Sequence, residues 1–371
     1  PQALGLDLLR LAVVRGIRYH FGFANELRGV LPEFTRALNA RSIMSNVLPD
    51  MDPVSLPHEV PYCIWHPNMA SEATYRSLVR RYPSIAYQVG RACAVAGYTD
   101  LYRELDILPE VHIAEEARES GSTDIFNVIM AEPCKYNVMD DYTRSINLDN
   151  AQQGCLNGDT AVVTLLDVKQ EFYEVPDVDD IFTIGHIPRM FNITEDQNID
   201  EHTTYARSPD NLLPLLYSPL PIDLPTVHKD LLIFMAASLG DVDRYARLRR
   251  PKPLQGEAQA CVRGIYHSTP FAVWWSKQTE ILSGLYADLD AAITASFIMN
   301  NILSRVSRTT PMDHLPYLIW CPSIAAPTTY RELARRKPEM APQVLRACIV
   351  AGYAEVFDEV LAANDRWVPD E

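Results

Sequence analysis

The chain has 371 residues, of which 47% are hydrophobic and 22% are charged, and this balance excludes a largely disordered protein. Acidic residues (48) outnumber basic ones (33) and give a formal net charge of −15, which argues against a surface that binds nucleic acid through its phosphates. No run of about 18 apolar residues occurs, so we expect no membrane span.

The first part of the chain, residues 1–166, predicts an array of short helices. Ser71 is suited to cap a helix that Pro83 then stops. A second helix is expected over about 85–96 and a third over 99–105, because apolar residues recur there at steps of three and four. Alternation of the strand type is nearly absent. The sequence therefore predicts an all-α fold.

Several segments share one layout, in which a helix rich in small residues ends at a glycine and a short amphipathic helix follows. The glycines are Gly97, Gly121, Gly158, Gly240 and Gly352. Each is expected to end its helix in the left-handed conformation. This layout resembles the ankyrin repeat, although the usual Thr-Pro-Leu-His opening is missing and the spacing is irregular. The resemblance implies an α-solenoid of helical hairpins whose concave face binds other proteins; another helical-hairpin solenoid is the alternative.

A carboxylate pair, Asp140 and Asp141, lies on a predicted helix. Metal-dependent prenyl transfer uses clustered aspartates that hold magnesium, but Arg144 stands where a further acid is expected. Charge on a helix surface therefore explains the pair better. Cysteine and histidine spacing is no more suggestive of a metal site, and we expect neither a metal nor a cofactor.

Residues 167–230 interrupt the helical array. This segment is acidic, and four of its prolines are expected to prevent a regular helix: Pro214, Pro219, Pro221 and Pro225. Its many apolar residues favour an ordered insertion between two helical halves over a floppy linker.

Asp177, Asp179 and Asp180 form an Asp-x-Asp-Asp motif within this insertion. The motif resembles the proton-donating motif of class II terpene cyclases, in which neighbouring carboxylates keep one aspartate protonated. The resemblance implies Asp179 as the general acid of an isomerase or cyclase of secondary metabolism. A solvated acidic loop is the favoured explanation, and cation binding is a third.

The last part of the chain, residues 231–371, repeats the first. Aligning 40–104 with 295–359 at a constant offset of 255 residues gives 29 identities in 65 positions without a gap. Such self-similarity predicts an internal duplication and two helical halves.

The arginines kept in both copies are candidate binding residues, above all Arg76, Arg80, Arg331 and Arg335. Two equivalent clusters of this kind would suit an acidic partner. Pairing with acids of the repeat itself, such as Glu104 and Glu359, is the favoured alternative.

The tryptophans fall into two groups. Trp65 and Trp320 occupy equivalent positions and are expected to anchor the core of each copy. Trp274 and Trp275 have no aromatic pair opposite them in the first copy, which makes them candidates for a binding surface or pocket.

Two functions from different classes remain open on the sequence. The first is a scaffold that binds another protein through a concave face, and the seven cysteines without close spacing place it in the cytoplasm as reduced thiols. The second is an acid-catalysed enzyme of secondary metabolism with a pocket between the two halves. A protein partner is expected more than a small molecule, because no catalytic set stands out.

Overall fold

The computed structural model describes residues 7–141, 143–157, 213–224, 229–250, 253–254, 256–278 and 287–363. Within these ranges the chain is mostly helical, as predicted, and it divides into two compact units. The first unit holds the described residues up to 157 together with 220–224, and the second holds 213–219 and the described residues from 229 onward. No described helix has the length and apolar character needed to cross a membrane.

The helices of the first unit are short. They are α1 (Asp7–Tyr19), α2 (Pro32–Met44), α3 (Glu72–Arg81), α4 (Ala86–Ala96), α5 (Thr99–Glu104), α6 (Val111–Glu119) and α7 (Thr123–Ala131), with 3-10 turns at Asn25–Leu27, Pro57–Glu59 and Pro83–Ile85. The predicted helices are confirmed: the Ser71 hydroxyl accepts a hydrogen bond from the backbone N–H of Thr74 (3.3 Å) and caps α3. The cap satisfies an amide that would otherwise have no partner within the helix.

Successive helices of the first unit form pairs that pack side by side. α4 contacts α5 within one pair and α6 contacts α7 within the next, while α4 packs on α6 and α5 on α7. Gly97 and Gly121 end the first helix of each pair with φ values of +73° and +76°, as predicted. A residue without a Cβ adopts this conformation without strain, so the chain can turn back at once.

Four two-residue strands follow these helices, where the sequence predicted a helix. β1 (Tyr136–Asn137) pairs with β4 (Gln152–Gln153), and β2 (Met139–Asp140) pairs with β3 (Ser145–Ile146), both antiparallel. The Asp140 carboxylate accepts hydrogen bonds from the N–H (3.3 Å) and the hydroxyl (2.8 Å) of Thr143. This local bonding favours a turn over a helix. The helical placement of Asp140 and Asp141 was therefore wrong.

Two described parts of the predicted insertion pack into the units. The backbone N–H of Leu224 donates to the Leu156 carbonyl (3.0 Å) and Asp223 pairs with Arg118 in the first unit. In the second unit a short helix, α8 (Leu213–Tyr217), contradicts the expectation that prolines exclude helix here. Pro214 lies in its first turn, where the missing N–H needs no partner.

The second unit is also built from helix pairs. Besides α8 it contains α9 (Asp230–Leu239), α10 (Val242–Leu248), α11 (Glu257–His267), α12 (Thr269–Trp275), α13 (Ala287–Met299), α14 (Pro327–Arg336), α15 (Ala341–Ala351) and α16 (Ala354–Ala362), with 3-10 turns at Met312–His314 and Pro338–Met340. α9 pairs with α10 and α11 with α12, while α9 packs on α11 and α11 on α13. Gly240 and Gly352 have φ values of +66° and +70° at the ends of α9 and α15. The layout predicted around these glycines is therefore present in both units, whereas Gly158 lies outside the described residues.

The two aligned segments make the same internal hydrogen bonds. The Tyr75 hydroxyl accepts from the N–H of Ala70 (3.1 Å) and donates to the carbonyl of Ile64 (2.8 Å). The residues 255 positions later make the same two bonds, at 3.2 and 2.8 Å. Asn46 and Asn301 both adopt positive φ, of 64° and 65°. Equal sequences have thus taken equal local geometry.

Candidate functional site

The arginines predicted to bind an acidic partner are largely paired within the chain. Arg76 donates through Nε and Nη2 to the two carboxylate oxygens of Glu104 (2.8 and 3.0 Å). Arg331 pairs in the same way with Glu359 (2.5 and 3.0 Å), and Arg335 pairs with the neighbouring Glu332. Pairing inside the repeat, which the sequence favoured, is present for Arg76 and Arg331. Arg80, the remaining member of the set, is exposed.

Trp274 and Trp275 belong to an aromatic cluster inside the second unit. Trp275 is buried, and the half-buried Trp274 stacks on Phe271 with parallel rings 5.9 Å apart. The Arg249 guanidinium lies over Trp274, 4.9 Å from its ring centroid. Trp275 is therefore not a surface residue, because it packs in the core, and a pocket role for the pair stays a prediction. Trp65 is buried as predicted.

The candidate catalytic acids Asp177, Asp179 and Asp180 lie outside the described residues. The described ranges contain no group of three or more histidine, cysteine or acidic side chains placed to hold a metal ion. Each of the seven cysteines lies in these ranges and is a free thiol.

A cluster of ionisable side chains lies buried in the first unit around Arg91, on α4. Its Nε donates to Glu116 Oε2 (2.7 Å), and its two terminal nitrogens donate to both oxygens of Asp141 (2.5 and 2.9 Å). The Tyr62 hydroxyl also donates to Asp141 (2.6 Å), and the guanidinium lies over the Trp65 ring, 4.9 Å from its centroid. Each nitrogen of the guanidinium therefore bonds a carboxylate, and the plane of the group lies over an aromatic ring.

Glu110 extends the cluster at the start of α6. Its Oε2 accepts the N–H of Ile113 (2.9 Å), while its Oε1 lies 2.9 Å from His112 Nδ1 and accepts the N–H of Met139 (3.3 Å). One buried carboxylate thus caps α6 and fastens strand β2 to it.

Burial and charge act against each other in this cluster. Burial raises the pKa of Glu116 to about 7, since Arg91 offsets only part of the lost hydration. Burial acts in the same direction on Asp141, but Arg91 outweighs it and holds the pKa of that carboxyl well below its usual range. For His112 burial opposes the charged form, whereas Glu110 and Asp141 favour it and raise its pKa to about 9.

The cluster is suited to hold elements together. Arg91 reaches one acid 25 residues away and another 50 residues away, so it joins α4, α6 and the residue after β2. A general acid must reach the substrate, and the side chains of Arg91 and Glu116 are completely shielded from solvent. Arg91 is identical to Arg346 of the second copy, but it was not singled out from the sequence, and Asp141 was assigned to the surface.

Exposed apolar side chains recur at the same two positions in both units. Val47 and Met69 in the first unit, and Ile302 and Ile324 in the second, are between 42% and 46% exposed. We call Val47 with Met69, and Ile302 with Ile324, the apolar loop pairs.

Each pair flanks one hydrogen-bonded junction. Asn46 Oδ1 accepts the N–H of Ser71 (2.7 Å) and the hydroxyl of Thr74 (2.9 Å), which holds the chain beside Val47 against the chain that follows Met69. The corresponding bonds of Asn301 are 2.7 and 2.8 Å long. The two apolar loop pairs therefore stand on loops that are held in the same way.

A family model described as the YKP1 C-terminal domain matches residues 65–168. The uncharacterized killer plasmid pGKl-2 protein 1 of Kluyveromyces lactis is 29% identical over 66 residues, which is 18% of this chain. The chain spans only 30% of that relative's length. No solved structure matches.

The family match overlaps the buried cluster. The range 65–168 contains Arg91, α6 and Asp141, which the cluster holds together. Neither match names an activity, and neither concerns ankyrin repeats. The ankyrin resemblance therefore stays a prediction.

Proposed function

We propose that this chain is a protein-binding scaffold built from packed helix pairs. The observation that carries the proposal is the recurrence of the apolar loop pairs, Val47 with Met69 and Ile302 with Ile324. Exposed apolar side chains that lie singly are ordinary on a protein surface, whereas apolar groups that are presented together favour a partner. Loops held by side-chain hydrogen bonds lose little conformational entropy when they bind.

The rest of the sequence-based proposal concerns the shape and location of the scaffold. Packed helix pairs are compatible with a solenoid of the ankyrin-like kind, in which a concave face takes the partner. Free thiols support a reducing compartment such as the cytoplasm. The enzyme hypothesis has no comparable support among the described residues, because its three aspartates lie outside them and the acids around Arg91 are shielded.

Native mass spectrometry tests the proposal after the purified chain has been exposed to extract of its source cells. We expect an added mass of many kilodaltons on the wild-type chain. The double variant Val47→Asp with Met69→Asp should lose about nine-tenths of that complex, because it places charges in an apolar contact.

Val54→Asp is the matched control, since Val54 is 90% exposed in the same unit but belongs to neither pair. It should keep the complex. Equal capture by the double variant would reject the loop pairs as the binding surface. An added mass of only a few hundred daltons would point to a small ligand and reject the scaffold.

A further inference from the structure

The second unit exposes a face whose equivalent in the first unit is covered. Tyr62 is 5% exposed and its equivalent Tyr317 is 61% exposed. Ala94 is fully buried, whereas Ile349 at the same position is 68% exposed. We call the side chains of Tyr317, Trp320, Arg346, Ile349 and Val350 the open face.

The aromatic pair of the open face keeps the geometry of its covered counterpart. Tyr62 and Trp65 have ring centroids 6.4 Å apart at an interplanar angle of 57°, and the rings of Tyr317 and Trp320 are 6.0 Å apart at 58°. The arginine differs, because Arg346 lies over Tyr317, 5.1 Å from the ring centroid, whereas Arg91 lies over Trp65. The aromatic side chains are therefore arranged alike in the two units, and the arginine has changed its ring.

The cover in the first unit includes an acidic amphipathic helix, α6, together with Asp141, which accepts hydrogen bonds from Tyr62 and Arg91. α6 packs on α4, and a Cβ added at Gly90 of α4 would lie 3.0 Å from Ile113 of α6, so this side of α4 faces α6. Ala94 follows Gly90 on that side, one helical turn along, and Arg91 lies one turn before Ala94. Glu116 of α6 pairs with Arg91 across the contact.

Arg346 has no such acid. Within the described residues it makes no ion pair, and its guanidinium meets only the Tyr317 ring. Arg91 uses its donors on two carboxylates, so the same side chain in the second unit is left with its donors exposed to water. Charge complementarity therefore favours a partner with a carboxylate next to Arg346.

We propose that the open face binds an acidic amphipathic helix of another protein. The inference rests on the proposed scaffold function and names one of its binding surfaces. The partner helix carries a carboxylate that pairs with Arg346, as Glu116 pairs with Arg91. It also carries apolar residues four positions apart on one face, as α6 carries Ile113 and Ala117. Because Ile349 is larger than Ala94, the residue that faces it must be small.

A second copy of this chain fits the open face less well. A symmetric contact would bring the same patch of both copies together and place one Arg346 near the other, which repel. The α6 helix of a second copy is not free to bind either, because its apolar side chains Val111, Ile113, Ala114 and Ala117 are buried in its own unit.

Fluorescence anisotropy with a labelled synthetic peptide of residues 109–121 tests the inference, since this peptide carries the helix that covers the first unit. We expect saturable binding to the full chain. Arg346→Glu should weaken it about tenfold, because a carboxylate then faces a carboxylate. A peptide with Glu116→Arg should regain affinity for the Arg346→Glu chain, which a merely structural effect of the substitution would not produce.

Arg308→Glu is the matched control, because Arg308 is another exposed arginine of the second unit and does not belong to the open face. Its affinity for the peptide should stay within about twofold of wild type. Absence of saturable binding, or equal binding to the Arg346→Glu chain, overturns the inference. Self-association that Ile349→Asp abolishes overturns it too, since a second copy then occupies the face.

Failure here is distinguishable from failure of the scaffold proposal. If the peptide does not bind while the wild-type chain still captures a protein from extract, the open face is wrong and the scaffold stands. If the wild-type chain captures no protein at all, the scaffold itself is wrong.

Discussion

Buried charge in the first unit links protonation to folding at single residues. Glu116 and His112 lie in one cluster, and both have folded-state pKa values above the ordinary ones of 4.5 and 6.5, at about 7 and about 9. A group whose pKa is raised by folding stabilises the folded state below its unfolded pKa. That contribution is lost as pH rises through the folded value.

We therefore predict that the first unit loses a few kcal/mol of unfolding free energy between about pH 5 and pH 9. Glu116→Gln mimics the protonated acid, so in this variant the unfolding free energy should fall much less between about pH 5 and pH 7. The fall above about pH 7 should remain, because it comes from His112. Unfolding of the first unit is measured by the oxidation of the buried Met139 across a series of urea concentrations. Oxidation of the buried Met340 measures unfolding of the second unit in the same sample. An unchanged pH profile in Glu116→Gln would contradict the assignment.

At the scale of the element, the helix pairs depend on close approach at particular glycines. Gly264 of α11 faces α9 so closely that an added Cβ would lie 1.9 Å from the carbonyl oxygen of Ala237. Gly16 of α1 occupies the position that aligns with Gly264, but its nearest neighbour is the ring of Phe23, at 2.6 Å. Backbone cannot move aside without displacing a helix, whereas a ring on a surface loop can.

We predict that Gly264→Ala destabilises the second unit by about 3 kcal/mol or more, the upper end for overpacking. Gly16→Ala is the matched substitution and should cost less than about 1.5 kcal/mol, because Phe23 is partly exposed and can swing away. Urea denaturation of each variant, read by methionine oxidation in each unit, measures both. Equal losses in the two variants would show that α9 and α11 are not held this closely.

At the scale of the whole molecule, the two units contain the same sequence pattern, but equivalent residues are buried in one unit and exposed in the other. In the first unit α6 packs on α4 and Asp141 pairs with Arg91 of α4, whereas the equivalent surface around α15 is exposed. The negative net charge of the chain does not predict the local charge of either surface. Arg91 is neutralised by acids inside the first unit, while Arg346 faces solvent in the second. Local charge, and not net charge, decides what each surface attracts.

We predict that nitration of tyrosine by tetranitromethane modifies Tyr317 at least about tenfold faster than Tyr62, because only the exposed ring meets the reagent. Peptide mapping by mass spectrometry measures both sites in one digest. Saturating peptide 109–121 should slow the modification of Tyr317 and leave Tyr62 unchanged. Similar rates at the two tyrosines would mean that the faces of the two units do not differ in solution.

Features that depend on neighbours within a few residues were predictable. The cap at Ser71 and the helix end at Gly97 follow from side chains and backbone groups within one or two turns. Arg76 and Glu104 are 28 residues apart, and their pairing was anticipated because both are kept in the two copies. The helix over Leu213–Tyr217 was missed because a proline in the first turn was treated like one in the interior. The rule that proline breaks a helix holds for the helix interior and not for the first turn, where Pro214 lies.

Features that depend on distant partners were not predictable. Asp141 looked like surface charge because nothing near it in sequence pairs with it, and its partner Arg91 lies 50 residues away. Trp275 looked like a surface residue because the first copy lacks it, yet it packs 5.8 Å from Tyr245, which the chain places in another helix pair. Conservation between two copies cannot report such contacts.

The sequence by itself determined the helical class, the helix ends and the equal geometry of the two aligned segments, because hydrogen bonds and apolar spacing along a few turns decide these. Only the tertiary structure decided that Arg91 is sealed between two acids and that Arg346 stands open. Identical residues in equivalent helices differ because burial is a property of what packs against them, and that packing comes from chain far away in sequence.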